Sequence, residues 1–456
     1  MIETLQHLPP AADSHSALAA QFTDLAPPLS ARQAAIEAAR CLYCYDAPCM
    51  RACPTGIDVA SFIRNIHDQN IQGAAIGILQ QNIFGGSCAR VCPTEILCES
   101  ACVRNHYAER EPVKIGLLQR HAVDNAHFAG HPFTRAPSTG KTIAVVGAGP
   151  AGLSCAHRLA MLGHDVVVFE ARPKAGGLNE YGIAKYKLPG EFAQQEVDFL
   201  LSIGGIDIQY GQVLGDNLQL HDLHARFDAV FLGLGLGASR RLGLTGEDAP
   251  GLMAATDYIA ALRQAGDLSR LPVPRRAIVI GAGNTAIDMA VQLKRLGADE
   301  VTLVYRRGFD AMSATGHEIE IAKTNFVRIK TWASPLEVLL DDDGRVAGMR
   351  FEETRMDEGR LARTGAFIEI AADAVFKAIG QAMAPPPELD SLALGLWGEG
   401  ERIAVDAALR TRVPGIYAGG DCVALGQDLT VQAVQHGKLA ALAIHNDIQA
   451  GAAWPT

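Results

Sequence analysis

The chain has 456 residues, of which 48% are hydrophobic and 20% charged, and its formal net charge is −10. This length predicts two or three domains with a sizeable core. The negative charge argues against a nucleic-acid partner, and the lack of an apolar run of about 18 residues argues against a membrane span. Because residues 1–16 lack the basic and apolar regions of a signal peptide, we expect a cytoplasmic location.

The first third of the chain is predicted to be α-helical. Residues 1–29 contain two Pro-Pro pairs and are expected to be loosely ordered. Ser30 is expected to cap a helix that leads to Cys41, and a helical pair follows from Ile57 to about Gln81. A linker rich in Pro, Gly, Ser and Thr at 130–140 predicts a domain boundary.

Eight of the ten cysteines lie between Cys41 and Cys102. Disulfides would be unusual in a large cytoplasmic protein, where thiols stay reduced. The segments Cys49–Ile57 and Cys88–Ile96 form a quasi-repeat, each with the Cys-Pro pair typical of two-cluster ferredoxins. The spacing therefore favours iron–sulfur clusters over zinc, which usually uses two separated CxxC pairs.

A dinucleotide-binding motif follows the linker. An apolar strand leads into Gly147-x-Gly149-x-x-Gly152, a helix begins at about Pro150, and a second strand ends on Glu170. The glycines allow a tight turn, close approach of a pyrophosphate and close helix packing, while the helix N-terminus attracts the anion. Glu170 has the spacing expected of the acid that binds a ribose diol.

Two later segments indicate that this dinucleotide is FAD. The run 172–178 directly follows Glu170, where flavoproteins with two dinucleotide sites close over the adenosine. Near the end of the chain, a strand leads to Gly419-Gly420-Asp421, and a helix begins near Thr430. The positive end of that helix would stabilise a reduced, anionic flavin. No cysteine lies between Gly176 and Tyr181, which argues against a disulfide reductase.

A second strand–glycine–helix motif, Gly281-x-Gly283-x-x-Ala286, predicts a nicotinamide site. The next strand, from Glu300, ends on Arg306-Arg307, which could bind a 2′-phosphate or simply be solvated surface charge. The sequence therefore leaves the preference between NADH and NADPH open. His317 and Glu318, which follow the arginine pair, could approach the nicotinamide ribose, but they are expected to face solvent.

The predicted fold class is an α/β flavoprotein with two dinucleotide-binding domains, preceded by an α-helical iron–sulfur domain. An NAD(P) Rossmann-like domain is expected to be inserted into the FAD Rossmann-like domain. The predicted boundaries are 1–135 for the helical domain, 140–272 with 385–456 for the FAD domain, and 273–384 for the NAD(P) domain. A Pro-Pro-Pro run at 385–387 marks the expected return to the FAD domain.

Together, these modules resemble the electron-input half of dihydropyrimidine dehydrogenase, which in bacteria is a separate PreT-type subunit. The resemblance is clearest in the segment Cys41–Thr55, which contains the motifs Asp-Ala-Pro-Cys and Cys-Pro-Thr. The small subunit of glutamate synthase has the same architecture and is the nearest alternative. The resemblance covers nearly the whole chain.

The resemblance implies two [4Fe-4S] clusters, the first on Cys41, Cys44, Cys49 and Cys102, and the second on Cys53, Cys92, Cys98 and Gln119. The quasi-repeat alone would instead nominate Cys88 as the fourth ligand of the second cluster, because Cys88 mirrors Cys49. Following the family, we interpret Cys88 as a buried residue that is not a ligand.

The expected dinucleotide contacts form two sets. The FAD set comprises Gly147, Gly149, Pro150, Ala151, Gly152, Glu170, Gly177, Leu178, Lys187, Val213, Gly420, Asp421, Thr430, Val431 and Gln432. The NAD(P) set comprises Gly281, Gly283, Asn284, Thr285, Ala286, Arg306, Arg307, Ala378 and Gly380. Lys187 replaces a more usual arginine near the flavin, and Ser313 stands where NADPH users have a further arginine.

The resemblance implies an NAD(P)H-dependent oxidoreductase subunit. Electrons would enter as a hydride on the flavin, leave singly through the clusters, and reach a PreA-type partner that contains FMN and iron–sulfur clusters. That partner would reduce uracil and thymine to their 5,6-dihydro products, within an expected heterotetramer. Because the cofactors supply the chemistry, no acid–base catalytic residue is expected in this chain.

Overall fold

The computed structural model describes residues 2–383, 396 and 402–451. The α-helices of the described residues are α1 His15–Gln21, α2 Ala31–Ala39, α3 Pro48–Ala52, α4 Val59–His67, α5 Ile71–Gln81, α6 Gly85–Val91, α7 Ile115–Asn125, α8 Pro150–Met161, α9 Leu178–Tyr181, α10 Phe192–Leu201, α11 Leu220–Arg226, α12 Ala255–Gln264, α13 Asn284–Arg295, α14 Gly316–Thr324 and α15 Thr430–Gln449. Short 3-10 helices span Glu3–Leu5, Thr94–Ile96, Val103–His106, Leu268–Arg270 and Phe309–Ala311.

The strands of the described residues are β1 Thr142–Val146, β2 Asp165–Glu170, β3 Ile206–Tyr210, β4 Ala229–Leu232, β5 Ala238–Ser239, β6 Leu252–Ala254, β7 Arg276–Ile280, β8 Glu300–Val304, β9 Arg328–Lys330, β10 Ala333–Leu340, β11 Val346–Asp357, β12 Arg360–Ala371, β13 Ala374–Lys377, β14 Gln381–Ala382 and β15 Ile416–Ala418. The chain forms two compact units. The first unit comprises Met1–Leu25, Tyr181–Pro189 and Ala238–Ala382, and the second comprises Ala26–Glu180, Gly190–Gly237 and Met383–Thr456.

The second unit contains a parallel sheet with the strand order β15-β4-β1-β2-β3. In register, Val146 of β1 lies between Phe169 of β2 and Leu232 of β4. This is the order of a doubly wound dinucleotide fold, in which ligands bind at the carboxyl ends of the strands. The predicted Gly147 and Glu170 both stand at that edge.

From Ala26 onward, the α-helical segment belongs to the same unit as this sheet. Ser30 caps α2, as predicted, and the structure adds a reciprocal bond from Gln33 that completes a capping box. Phe62, Ile63 and Ile78 are buried in a core between the helices. Leu79 and Phe84, by contrast, belong to one apolar core with the residues of β1 and α8. The segment from α5 to α6 therefore shares one apolar core with the sheet and α8.

The first unit contains a second parallel sheet, with the order β6-β13-β7-β8-β9, and a three-stranded antiparallel sheet, β10-β11-β12. In the parallel sheet, Ile280 of β7 pairs with Val304 of β8 and Lys377 of β13. The carboxyl end of β7 leads into the second glycine motif, as the sequence predicts.

The prediction that residues 1–29 are loosely ordered is wrong. The described residues of this segment include α1, and Leu5 and Leu18 are fully buried in the apolar core of the first unit. The backbone N–H of Ala11 donates to the carbonyl of Leu271 at 3.0 Å. The two Pro-Pro pairs lie outside the helix, so they suggested disorder without preventing burial of the apolar residues.

The compact units also differ from the boundary predicted at 272. Leu252 of β6 pairs with Val375 of β13, so the chain joins the parallel sheet of the first unit well before Pro272. The short pairing of β5 with β14 brings Ala238 and Ala382 together, where the chain enters and leaves this unit. The Pro-Pro-Pro run at 385–387 lies outside the described residues.

Candidate functional site

The first glycine motif has the geometry of a phosphate-binding turn. Gly147 has a φ of +98°, and a Cβ at this position would collide with the carbonyl oxygen of Gly233. A Cβ at Gly152 would collide with the carbonyl oxygen of Gly147, so both positions require glycine. Helix α8 begins at Pro150 and directs unpaired N–H groups to the same turn.

Segments far apart in the sequence meet at the start of α8. A Cβ on Gly177 would lie 2.7 Å from the Cα of Gly149, and a Cβ on Gly420 would lie 2.9 Å from the Cβ of Ala151. The structure therefore brings together the predicted FAD residues at 147–152, 177 and 420.

A fourth segment reaches this place through the start of α15. The Thr430 hydroxyl donates to the Asn179 amide oxygen at 3.2 Å. The amide nitrogen of Asn179 is buried and has no hydrogen-bond partner among the described residues. A buried donor without an acceptor is costly, so a polar ligand such as FAD fits here.

Glu170 already orders the turn in the protein itself. Its carboxylate accepts the N–H of Ala148 at 2.7 Å and the N–H of Arg172 at 2.8 Å. Each carboxylate oxygen can accept more than one bond, so a ribose diol can still bind. The N–H of Val213, another predicted contact, donates to the side chain of Asn217 at 2.7 Å.

Asp421 stands at the end of the last strand of this sheet. Burial raises the pKa of its carboxyl to about 6, and the charge of Asp428 adds to the effect while Arg402 opposes it. A desolvated carboxyl is suited to accept a hydrogen bond from a bound hydroxyl. Gln432, one turn into α15, has its amide nitrogen 3.0 Å from the Nε2 of His436. Leu178 is 39% exposed at the rim.

The second glycine motif lies in the first unit and has a similar turn. A Cβ at Gly281 would collide with the carbonyl oxygen of Ala378, so these two residues of the predicted NAD(P) set lie in close contact. Asn284 starts α13, and its amide oxygen accepts the N–H of Thr315 at 3.2 Å. Ala286 is fully buried, and the carbonyl of Gly380 accepts the N–H of Arg240. Thr285 follows Asn284 in the first turn of α13.

Arg306 and Arg307 are both exposed just after β8. Their backbone is fixed, because the carbonyl of Arg306 accepts the Thr354 hydroxyl at 2.7 Å and that of Arg307 accepts the Trp332 N–H at 3.1 Å. Neither guanidinium forms an ion pair within the described residues. Both are therefore available for an anionic ligand.

Lys187 lies in a buried ion-pair cluster of the first unit. Its Nζ is 2.6 Å from both the Asp288 and the Glu318 carboxylates, and the Tyr186 hydroxyl donates to Asp288 at 2.9 Å. Burial opposes the charge of Lys187, but the two carboxylates outweigh it, so the pKa of this lysine is raised. The expectation that Glu318 faces solvent is wrong, because it is only 9% exposed. The sequence could not reveal its buried partner.

The four cysteines of the predicted first cluster interact electrostatically. Burial raises the pKa of the Cys49 thiol to about 11, with contributions from Cys102 and Cys41. Burial likewise raises the pKa of Cys41, and both Cys102 and Cys44 contribute. Because iron binds thiolates, a bound cluster would have to displace these protons.

A cavity of the second unit contains the residues of the predicted second cluster. It is lined by Cys53, Cys92, Cys98, Cys88, Gln119, Asn82 and Val431, together with neighbouring residues. Burial raises the pKa of Cys92 well above its ordinary value, and Cys88, Cys98 and Cys53 contribute. The buried amide nitrogen of Asn82 forms no hydrogen bond of ordinary geometry among the described residues, and the Asn82 side chain interacts with the Cys88 thiol and lowers its pKa. This amide is therefore placed to donate to sulfur in the cavity.

Both candidates for the fourth ligand of the second cluster lie in this cavity. The Gln119 amide nitrogen donates to the Gly85 carbonyl at 2.8 Å, which leaves the amide oxygen available to a metal. Cys88 is buried, and burial raises the pKa of its thiol strongly. Geometry alone keeps both residues as candidates. Among the described residues, no three His, Cys, Asp or Glu side chains converge on a position for one metal ion.

Sequence reasoning missed three buried polar residues of the second unit. Asn82 lines the cavity, Glu196 accepts hydrogen bonds from the start of α6, and Lys438 donates to the carbonyl of Thr55, two residues after Cys53. Of these, only Lys438 carries a sequence signal, since it interrupts the apolar face of a helix. Helices that are both long and apolar enough to cross a membrane are absent from the described part of the chain.

The fold and site define an oxidoreductase with an FAD site, a nicotinamide site and a cysteine-rich segment for electron transfer. A family model described as pyridine nucleotide–disulphide oxidoreductase matches residues 141–437. A second model, described as dihydropyrimidine dehydrogenase domain II, 4Fe-4S cluster, matches residues 18–130. The chain belongs to the pyridine nucleotide–disulphide oxidoreductase family and carries a 4Fe-4S domain ahead of that region.

Two relatives match nearly the whole chain. The glutamate synthase [NADPH] small chain of Escherichia coli is 34% identical over 446 residues, covering 93% of this chain and 94% of the relative. The NAD-dependent dihydropyrimidine dehydrogenase subunit PreT of Salmonella typhimurium is 34% identical over 429 residues, covering 93% and 97%. The predicted resemblance is thus confirmed, and both branches are equally similar.

The fold also matches solved flavoproteins. The crystal structure of T. acidophilum thioredoxin reductase superposes with a TM-score of 0.53 at 22% identity. The match covers 68% of this chain and 99% of that structure. Together with the family models, this match confirms the predicted fold class, and the family models themselves confirm the predicted classes of cofactor.

Proposed function

We propose that this chain is the electron-input subunit of a dihydropyrimidine dehydrogenase. It would take a hydride from NAD(P)H and pass single electrons to a partner that contains FMN and reduces uracil or thymine. The bound FAD would supply the change from two-electron to one-electron chemistry. The protein's own residues would bind, orient and insulate the cofactors.

One observation carries this proposal. Val431, in the first turn of the helix expected at the flavin, lines the same cavity as Cys53, Cys92 and Cys98. Thr430 of the same turn contacts Asn179 in the FAD segment. One helix terminus thus touches both the proposed flavin site and the proposed second cluster, which supports direct electron transfer between them.

The other cysteine set is suited to be the exit. Cys44 is partly exposed, and the neighbouring side chains of Leu42 and Tyr45 are strongly exposed. Exposed apolar side chains beside a redox centre are typical of a contact surface for a partner. The proposed order is therefore nicotinamide, flavin, second cluster, first cluster and partner.

The choice of a pyrimidine-reducing partner follows from the cysteine-rich segment. The family model that matches this segment bears the dihydropyrimidine dehydrogenase description, and the PreT subunit of Salmonella typhimurium matches over nearly its whole length. The partner would be a PreA-type subunit with FMN and iron–sulfur clusters.

The test begins with the anaerobically purified chain. We expect bound FAD, about eight irons and about eight sulfides per chain, and NAD(P)H oxidation with ferricyanide. The chain alone should leave uracil unchanged. After addition of a purified FMN-containing pyrimidine-reducing subunit, NAD(P)H oxidation should depend on uracil and yield dihydrouracil.

The glutamate synthase branch provides the contrasting outcome. If the chain instead supported glutamate formation with a glutamate synthase large subunit, and not uracil reduction, the pyrimidine assignment would be wrong while the electron-input role stood. A colourless protein without FAD or sulfide would refute both.

A further inference from the structure

Lys438 is a buried lysine in the second unit whose bonding is unusual. It lies two turns into α15 and is only 8% exposed. Its Nζ donates to the carbonyl of Thr55 at 2.7 Å, the carbonyl of Gln81 at 3.1 Å and the side-chain oxygen of Gln81 at 3.0 Å. All three acceptors are neutral.

A second cation lies beside it. The Arg158 guanidinium donates to the carbonyl of Gln80 at 2.6 Å, at the same C-terminus of α5 that Lys438 contacts. Among the described residues, neither cation has an ion pair with a carboxylate. The negative end of the α5 dipole amounts to about half a charge and cannot balance both cations.

Negative charge near these two cations would come from a cluster bound in the cysteine cavity. Thr55 follows Cys53 by two residues, and its hydroxyl lies 3.3 Å from the Cys53 sulfur. Burial lowers the pKa of Lys438 to about 8, and Arg158 contributes, while negative charge at the position of Cys53 would oppose both effects. Keeping an unpaired cation buried is costly, so a compensating anion is expected with the bound group.

We propose that Lys438 and Arg158 are positioning residues that raise the reduction potential of the iron–sulfur cluster at Cys53. This inference depends on the proposed function, which puts a cluster there. A four-iron cluster with thiolate ligands is anionic and gains one more negative charge when it is reduced. Fixed cations nearby stabilise the reduced form, and net charge and hydrogen bonding are known determinants of cluster potential.

Raising the cluster potential is a different role for Lys438 from only capping the C-terminus of α5. A neutral residue of similar shape at position 438 could preserve the packing, yet it would remove the charge. A potential-tuning role predicts that Lys438→Arg keeps the potential and that Lys438→Met lowers it. A purely structural role predicts loss of stability or iron without a change in the potential of the cluster that remains.

The experiment is a redox titration of the full-length, anaerobically purified chain, monitored by electron paramagnetic resonance. In Lys438→Met we expect the equilibrium constant for reduction of the second cluster to fall about tenfold, which is about 59 mV for one electron. Lys438→Arg should stay near wild type. Lys141→Met, a change at an exposed lysine paired with Asp228, is the matched control and should have no effect.

Arg158→Gln provides an independent variant if Lys438→Met retains little iron. It should also lower the potential, in the same direction. Variants with full iron content and unchanged potential would overturn the inference. Wild-type protein without any cluster signal would instead refute the proposed function, so the two failures can be distinguished.

Discussion

The carboxylate of Glu196 accepts three hydrogen bonds from the start of the cysteine-bearing helix α6, two of them from Ser87. The N–H groups of Gly86 and Ser87 lie 2.9 and 3.0 Å from one oxygen, and the Ser87 hydroxyl donates to the other. Burial raises the pKa of Glu196 to about 7, and these hydrogen bonds with Ser87 and Gly86 oppose that shift. Because α10 carries Glu196, the contact joins the cysteine segment to the FAD-binding part of the same unit.

Replacing Glu196 with Ala should destabilise this junction. Three buried donors would lose their acceptor, which predicts a loss of about 2–4 kcal/mol in the free energy of unfolding. Urea unfolding and iron content of anaerobically purified protein would measure the effect, and we expect iron to be lost as well. Asp198→Ala, an exposed change on the same helix, should stay within about 0.5 kcal/mol of wild type. Equal stability of both variants would contradict the prediction.

The two candidates for the fourth ligand can be separated by substitution. We propose Gln119, so Gln119→Leu should lose the signal of the second cluster or convert it to a three-iron form. Cys88→Ala should keep about eight irons per chain at some cost in packing, because Cys88 is buried. Iron analysis and low-temperature electron paramagnetic resonance would provide the measurement. If Cys88→Ala lost the second cluster and Gln119→Leu retained it, Cys88 would be the fourth ligand.

Local chemistry explains why the sequence predicted the two dinucleotide turns correctly. Gly152 is required by a backbone collision within the motif itself, and Gly147 and Gly281 have positive φ values in tight turns, so these parts of the motif are readable without tertiary information. The collisions that a Cβ at Gly147 or Gly281 would have with Gly233 and Ala378 are long-range and could not be predicted from the motif. The capping box at Ser30 is equally local.

The errors concern contacts over long sequence distances. Glu318 was expected to face solvent, but it is buried against Lys187. Because Lys187 lies 131 positions earlier in the sequence, local sequence could not reveal this ion pair. Leu5 and Leu18 are buried by residues after 250, which local composition at the N-terminus cannot reveal. Asn82 and Glu196 lack a motif altogether, and their roles depend on where α5 and α10 pack.

Because Arg306 and Arg307 are exposed and available to a 2′-phosphate, we expect them to favour NADPH over NADH, which coenzyme kinetics can test. Replacing both with Ser should lower kcat/KM for NADPH about tenfold or more relative to NADH, since a charge-assisted bond is worth about 1.5–3 kcal/mol. Ferricyanide reduction by the isolated chain would measure both coenzymes. Arg355→Ser, an exposed change on β11, is the control. If the substitutions changed kcat/KM equally for NADH and NADPH, Arg306 and Arg307 would be surface charges without a role in binding the 2′-phosphate.

Gly437 allows α15 to cross α8 closely. A Cβ at this position would collide with the carbonyl oxygen of Ala151 and lie 2.7 Å from the Cys155 nitrogen. Gly437→Ala should therefore push the helices apart, costing about 1–3 kcal/mol, and lower the amount of bound FAD. Gly77→Ala is the matched helical control, because a Cβ there meets nothing within 4 Å. Flavin absorbance per chain and urea midpoints would measure both, and normal FAD content in Gly437→Ala would refute this.

His157 predicts how stability should depend on pH. Burial lowers its pKa to about 3, with contributions from the charges of His131 and Arg158, and its Nε2 lies 3.2 Å from the Nε2 of His131. An unfolded histidine has a pKa of about 6.5, so as the pH falls the unfolded state binds a proton first. The stabilisation is therefore complete above about pH 6.5 and is lost progressively as the pH falls toward 3.

His157→Gln should flatten this dependence. Between pH 7.5 and pH 5.5, wild type should lose about 1 kcal/mol more unfolding free energy than the variant, because only wild type has this histidine to protonate on unfolding. Urea unfolding at several pH values would measure the slopes. His221→Gln, at a histidine whose side chain is 63% exposed, should leave the wild-type slope unchanged. If His157→Gln kept that slope as well, this buried imidazole would not be the source of acid sensitivity.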